Sequence, residues 1–148
     1  MPNPDNLNLL IVDDDDVDVQ AVVRAVRRAG LSFGLFTSRD GDEAMELLRK
    51  ESSAPDAKPF LVLLDLNMPG KDGFEFLKEL RNDKDLSKSV VFILSTSDHE
   101  SDRERAHEHM VAGYLVKGEL APNYDKLVEL ISKYPSAGSS PAPPKSQD

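Results

Sequence analysis

Apolar and polar residues alternate in blocks along this chain, and five apolar blocks are short and dense: residues 7–12, 33–37, 60–64, 90–94 and 113–116. The third, Phe60-Leu61-Val62-Leu63-Leu64, is unbroken, the pattern of a strand buried on both faces in a parallel sheet. Between the blocks the apolar spacing becomes helical. Val17, Val19, Ala21, Val22, Val23, Ala25 and Val26 form one such segment, and Gly30 supplies its stop signal. One of Asp14 to Asp16 caps its start, and Asp18 favours the positive end of its dipole. Asp40 caps a second helix over residues 41–50, with Ala44, Leu47 and Leu48 at helical spacing. Asp72 or Gly73 opens a third, through about Asn82, with Phe74, Phe76, Leu77 and Leu80 on its apolar side. Residues 97–110, capped by Ser97, form a polar helix whose core candidates are Ala106 and Met110, so it is expected to be the least firmly packed. Residues 122–133 form the last, with Leu127, Leu130 and Ile131 inward.

Strand and helix thus alternate roughly five times. This order predicts an α/β fold with a doubly wound, five-stranded parallel sheet, helices on both faces and right-handed crossovers. The ordered domain is expected over residues 1–134. Residues 135–148 carry Ser, Ala, Gly, Pro and Lys without apolar period and are expected to be a disordered tail.

At 148 residues the chain is long enough for one domain with a real core. Its formal charge of −9 argues against a nucleic-acid surface and against attachment to anionic membranes. With no cysteine it has neither a disulfide framework nor a zinc–thiolate site. No apolar stretch approaches the length of a membrane span, and the amino terminus lacks signal-peptide regions, so a cytoplasmic location is expected.

The candidate chemistry sits at the strand ends. Ligands bind at the carboxyl edge of open α/β sheets. The first strand ends in Asp13-Asp14-Asp15-Asp16, and the third in Asp65, followed by the loop Leu66-Asn67-Met68-Pro69-Gly70-Lys71-Asp72-Gly73. Crowded carboxylates resist ionisation unless a cation neutralises them, and a hard divalent cation such as Mg²⁺ takes oxygen ligands while leaving room for a phosphate oxygen. The fourth strand ends in the hydroxyls of Ser95-Thr96-Ser97 and the fifth in Lys117, groups that donate to or pair with a phosphoryl oxygen.

With these residues in this order the chain resembles the response-regulator receiver domains of two-component signalling, over nearly the whole ordered chain. The matching motifs are Leu10-Ile11-Val12-Asp13-Asp14, Leu64-Asp65-Leu66-Asn67-Met68-Pro69 with Asp72-Gly73, Leu94-Ser95-Thr96, and Gly113-Tyr114-Leu115-Val116-Lys117. The resemblance implies a flavodoxin-like (βα)5 fold with strand order 2-1-3-4-5. It implies that Asp65 is the nucleophile that takes a phosphoryl group from a sensor histidine kinase. Asp14 and Asp65 would supply carboxylates to Mg²⁺, Asn67 its backbone carbonyl, and Asp13 would act mostly through a metal-bound water. Ser95 and Thr96 would bind the phosphoryl group and Lys117 would pair with it. Tyr114 would be the aromatic switch that turns inward when the Ser95 hydroxyl moves.

The chain is similar in particular to the small regulators that partner bacterial and cyanobacterial phytochromes, which share the Asp18-Val19 pair, the Asp40-Gly41-Asp42-Glu43-Ala44 segment and the doubled hydroxyl after the fourth strand. A bacteriophytochrome is therefore an expected kinase. A histidine phosphotransfer protein and a second copy, pairing through the fourth helix, the fifth strand and the last helix, are further expected partners. Two departures stand out: Gly118 follows Lys117 where most receivers have Pro, and Thr96 stands where many carry a smaller residue.

The resulting reading is a stand-alone receiver, a binding module and not an enzyme. The competing class is a small Mg²⁺-dependent aspartyl-phosphate hydrolase. Such an enzyme needs a second acid two residues beyond the nucleophile, and Asn67 occupies that place. His99, His107 and His109 lack the i, i+4 spacing of paired metal ligands, and the Arg and Glu alternation around them reads as a solvated face.

Overall fold

The computed structural model describes residues 7–68, 70 and 72–133. Five strands, β1 (Asn8–Val12), β2 (Gly34–Ser38), β3 (Phe60–Leu64), β4 (Val90–Ser95) and β5 (Gly113–Val116), form one parallel sheet in the order β2-β1-β3-β4-β5. The helices are α1 (Asp16–Arg28), α2 (Gly41–Ser52), α3 (Gly73–Asn82), α4 (Glu100–Glu108), α5 (Lys117–Leu120) and α6 (Asp125–Ser132). The expected sheet and its strand order are both present. Every residue of β3 and β4 is buried, which explains their unbroken apolar runs.

Side chains alternate across a strand, so one sheet feeds two cores. Leu10, Val12, Val62, Leu64, Val91 and Ile93 face α2 and α3, where Leu48, Phe76, Leu77 and Leu80 join them. Leu9, Ile11, Leu61, Leu63, Phe92 and Leu94 face the opposite layer, where Val22 and Val26 of α1 meet Leu127 and Ile131 of α6.

Local chemistry sets the helix starts. Asp15 caps α1 by accepting the Val17 N–H at 2.9 Å. Asp40 caps α2 by accepting the Glu43 N–H at 2.8 Å. Asp72 and Glu75 form a reciprocal capping box on α3.

Three expectations need correction. The polar helix begins at Glu100, not Ser97, because the Ser97 hydroxyl bonds Asp102 while accepting the His99 N–H. Met110 is exposed, in the left-handed conformation at φ 60°, and Val111 takes the core position beside Ala106. The last helix starts later than expected, and a short helix that was not expected precedes it. Lys117–Leu120 forms a single turn directly after β5, Tyr124 adopts φ 59°, and α6 starts only at Asp125. Leu130, expected inward, is partly exposed, and Val128 is buried instead. The Lys117–Gly118 bond is trans, since the cis bond among the described residues is Ala121–Pro122. The expected tail, and residue 134 of the expected domain, lie outside the described residues.

Helix α4 is held by unusual contacts. The guanidinium of Arg105 lies 4.0 Å from the Phe74 ring centre and that of Arg103 lies 4.8 Å from the Tyr114 ring, so part of the expected solvated face stacks on aromatics. From α3, Arg81 donates to the carbonyls of Ser87, Ser89, His109 and Met110 at 2.8–3.0 Å. One side chain thereby ties the end of α4 to the loop before β4.

Gly73 seats the β3–α3 loop. A Cβ there would lie 2.6 Å from the Leu66 Cα and 2.8 Å from the Asp65 carbonyl oxygen, both backbone atoms. Gly73→Ala is therefore expected to cost roughly 1–3 kcal/mol, the usual range for overpacking, and to shift Asp65. Urea unfolding measures the loss, and an unchanged midpoint contradicts the tight seat.

Candidate functional site

Parallel register brings the chemistry to one edge. Val12 is level with Leu64, so Asp13 and Asp65 leave the sheet side by side, and the Asp65 N–H donates to the Val12 carbonyl at 2.9 Å. Ser95 pairs in register with Val116, so Lys117 emerges just beyond Ser95. Each of these residues follows a strand core that cannot slide without exposing apolar side chains.

The centre of the site is one ammonium among carboxylates. Lys117 Nζ donates to Asp13 Oδ2 at 2.8 Å and to Asp18 Oδ2 at 2.7 Å, and stands 3.7 Å from Asp65 Oδ2. Asp13, Asp65 and Lys117 are each at most 5% exposed. Backbone donors fix the acids' other oxygens: the Asp15 N–H reaches Asp13 Oδ1 at 2.9 Å, and the Asn67 N–H reaches Asp65 Oδ1 at 3.1 Å.

One cation does not balance these charges. Burial pushes the Asp65 carboxyl up to about 6, opposed by the Lys117 charge and the Asn67 N–H and reinforced by Asp13. Burial raises Asp13 as well, against the hydrogen bonds it accepts from Lys117 and Asp15. Burial alone would lower Lys117, but its bonds to Asp13 and Asp18 outweigh that and hold the ammonium above its ordinary value. Asp13, Asp14 and Asp65 each offer an oxygen, and the three oxygens lie within 4.8 Å of one another. Under-neutralised and all-oxygen, with Asp13 and Asp65 buried and Asp14 half-buried, this set fits a hard divalent cation.

The remaining expected residues are placed unequally. Ser95 is fully buried, and its hydroxyl accepts the Ser97 N–H at 3.1 Å. Thr96 is exposed, and so is Asn67, whose backbone N–H is engaged by Asp65. Tyr114 already lies inward, 9% exposed, with its hydroxyl donating to the Ser97 carbonyl at 2.9 Å. The expected inward turn therefore has no outward starting point in this structure. Asp18 sits in the first turn of α1, as expected of a dipole acid, but it also reaches Lys117 across 99 positions of chain, a contact the sequence reading missed. Its spacing five residues after Asp13, one helical turn into α1, was the available signal.

With this geometry in view, the comparisons with known proteins are informative. The family model described as response regulator receiver domain matches residues 9–131. Response regulator Rcp1 of Synechocystis sp. is 33% identical over 127 residues, covering 85% of this chain and 86% of its own length. Among solved structures, the Mn²⁺-bound form of response regulator Rcp1 matches with a TM-score of 0.73 and 30% identity, over 94% of this chain and 99% of that one. The phosphorylated cyanobacterial phytochrome response regulator RcpA matches at 0.69 and 33%, over 84% of this chain and 88% of that one.

The acid excess makes a pH prediction. Because the folded-state pKa of Asp65 lies above the ordinary carboxylate value, the folded protein binds the extra proton between about pH 4 and about 6. The Asp65 contribution to stability is then lost as pH rises through that window. In chelator at pH 7, Asp65→Asn is expected to be more stable than the parent by roughly 1–3 kcal/mol, and the gap should narrow at pH 5. Thermal melts at both pH values check this, and a less stable Asn variant at pH 7 contradicts it.

Proposed function

This chain belongs to the response regulator receiver domain family of two-component signalling, and on that premise we propose that Asp65 accepts a phosphoryl group from a sensor histidine kinase. Receiver domains are phosphorylated by histidine kinases, and phytochrome response regulators are among this chain's relatives. A bacteriophytochrome is accordingly the kinase class we propose. The observation that carries the reading is the buried triad of Asp13, Asp65 and Lys117 at one strand edge, with Lys117 Nζ 3.7 Å from the acceptor carboxylate.

In the transfer, an Asp65 oxygen forms a bond to phosphorus as the bond from phosphorus to the kinase imidazole breaks. The electron pair stays with the imidazole, which takes its proton from solvent. Lys117 pairs with the phosphoryl oxygens and Ser95 donates its hydroxyl hydrogen to one of them. Asp14 and Asp65 would hold Mg²⁺, with the Asn67 carbonyl and, through water, Asp13. Bound there, the ion supplies the positive charge that both the acids and the phosphoryl oxygens lack. Asn67, an amide, cannot move the proton a hydrolase would need at its position, so the acyl phosphate is expected to outlast a turnover. That favours a signalling module over the hydrolase reading.

Output follows from Ser95. Its hydroxyl holds the Ser97 N–H, and Ser97 in turn holds Tyr114 and Asp102 of α4. A phosphoryl group that recruits Ser95 pulls on this chain of bonds, which ends at Asp102 of α4 and Tyr114 of β5, on the face that α6 adjoins in sequence. We propose that surface as the one read by a downstream partner, a phosphotransfer protein or a second copy.

Incubation with acetyl phosphate and Mg²⁺, followed by intact mass, tests the acceptor. One added phosphoryl group is expected on the parent and none on Asp65→Asn. A phosphorylated Asp65→Asn protein contradicts the assignment, and sustained turnover of a generic phosphomonoester would favour the hydrolase.

A further inference from the structure

Lys117 has three N–H donors, and two are committed to Asp13 and Asp18 at 2.8 and 2.7 Å. Its distance to Asp65 is about an ångström longer, at 3.7 Å. The lysine is therefore held toward α1 and away from the acceptor. Asp13 is part of the acid pocket itself. Asp18 is not: it sits in the first turn of α1, its side chain 24% exposed, and it does not join the Asp13, Asp14 and Asp65 oxygen cluster. Among the described residues its side chain accepts from Lys117.

Resting on the reading of Asp65 as phosphoryl acceptor, we infer that Asp18 is a positioning residue that holds Lys117 in the unphosphorylated arrangement and opposes the phosphorylated one. The sign follows whichever way the lysine moves. If Lys117 leaves Asp18 for the phosphoryl oxygens, a short charge-assisted bond on a largely buried ammonium is broken. If it keeps Asp18, the Asp18 carboxylate stays close to a group that adds a further negative charge at Asp65, and the two repel. Both routes raise the free energy of the phosphorylated state relative to the free one. Removing the Asp18 charge therefore favours the phosphoryl group. The same change has the opposite effect on a bare cation, because the site loses a negative charge and Lys117 is freed toward Asp65.

Titration calorimetry separates these effects. The probes are beryllofluoride, a phosphoryl stand-in, at saturating Mg²⁺, and Mg²⁺ alone. Asp18→Asn is expected to bind beryllofluoride roughly 3–10-fold more tightly than the parent and Mg²⁺ alone more weakly. Asp18→Ser, which also removes the charge, should move the same way. Asp18→Glu, which keeps it, should stay near the parent. A merely structural role would weaken both ligands together. Unchanged or weaker beryllofluoride binding in Asp18→Asn and Asp18→Ser overturns the inference while leaving Asp65 as acceptor. A parent protein that binds no beryllofluoride overturns the acceptor reading, and the inference with it.

Discussion

Among the described residues, Lys117 is the one basic side chain inserted among the buried acids of this site, and the site is arranged around that shortage of positive charge. Its ammonium meets Asp13 and Asp18 closely and Asp65 at longer range. Asp14 adds a fourth carboxylate to the neighbourhood. Such a cluster survives burial only because the backbone that carries it cannot relax. Asp13 and Asp65 extend central strands locked in register, and Lys117 follows β5 with no intervening loop. The two cores, one on each face, supply that rigidity. The strain of the acids is thus stored where a cation and a phosphoryl group can relieve it.

The proposed output route rests on the same arrangement. Ser95, Ser97, Asp102 and Tyr114 form a short run of hydrogen bonds between the strand edge and α4. That helix offers Ala106 alone as a fully buried apolar side chain among its described residues. The rest of its grip is two stacked arginines and the Arg81 bonds at its end. An element held by polar contacts can shift at less cost than one held by apolar burial, because water replaces lost hydrogen bonds.

The sheet and the strand-edge cluster of Asp13, Asp65 and Lys117 were legible because their signals are local. Unbroken apolar runs marked β3 and β4, and acids, hydroxyls and a lysine followed the strands at once. What the sequence hid is what tertiary contact decides. Asp18 looks like any first-turn acid until α1 is set against β5. Arg81 carries no sequence signal of its role, yet it donates to carbonyls of two separate segments. Met110 looks apolar enough for the core but falls on the left-handed residue that ends α4. The single turn of α5 gives no apolar period of its own; it shows only in the fold, where Leu120 is buried in the same layer as Tyr124 and Leu127.

The account stands on a buried acid cluster that lacks one cation's worth of charge. The direct measurement is the melting temperature in chelator and in millimolar Mg²⁺, for the parent and for Asp14→Ala. A ligand that binds only the folded state raises stability by mass action, so the parent is expected to melt several degrees higher with Mg²⁺. Asp14→Ala should lose most of that gain. A parent protein whose melting temperature ignores Mg²⁺, or an Asp14→Ala variant with the full rise, would contradict the account.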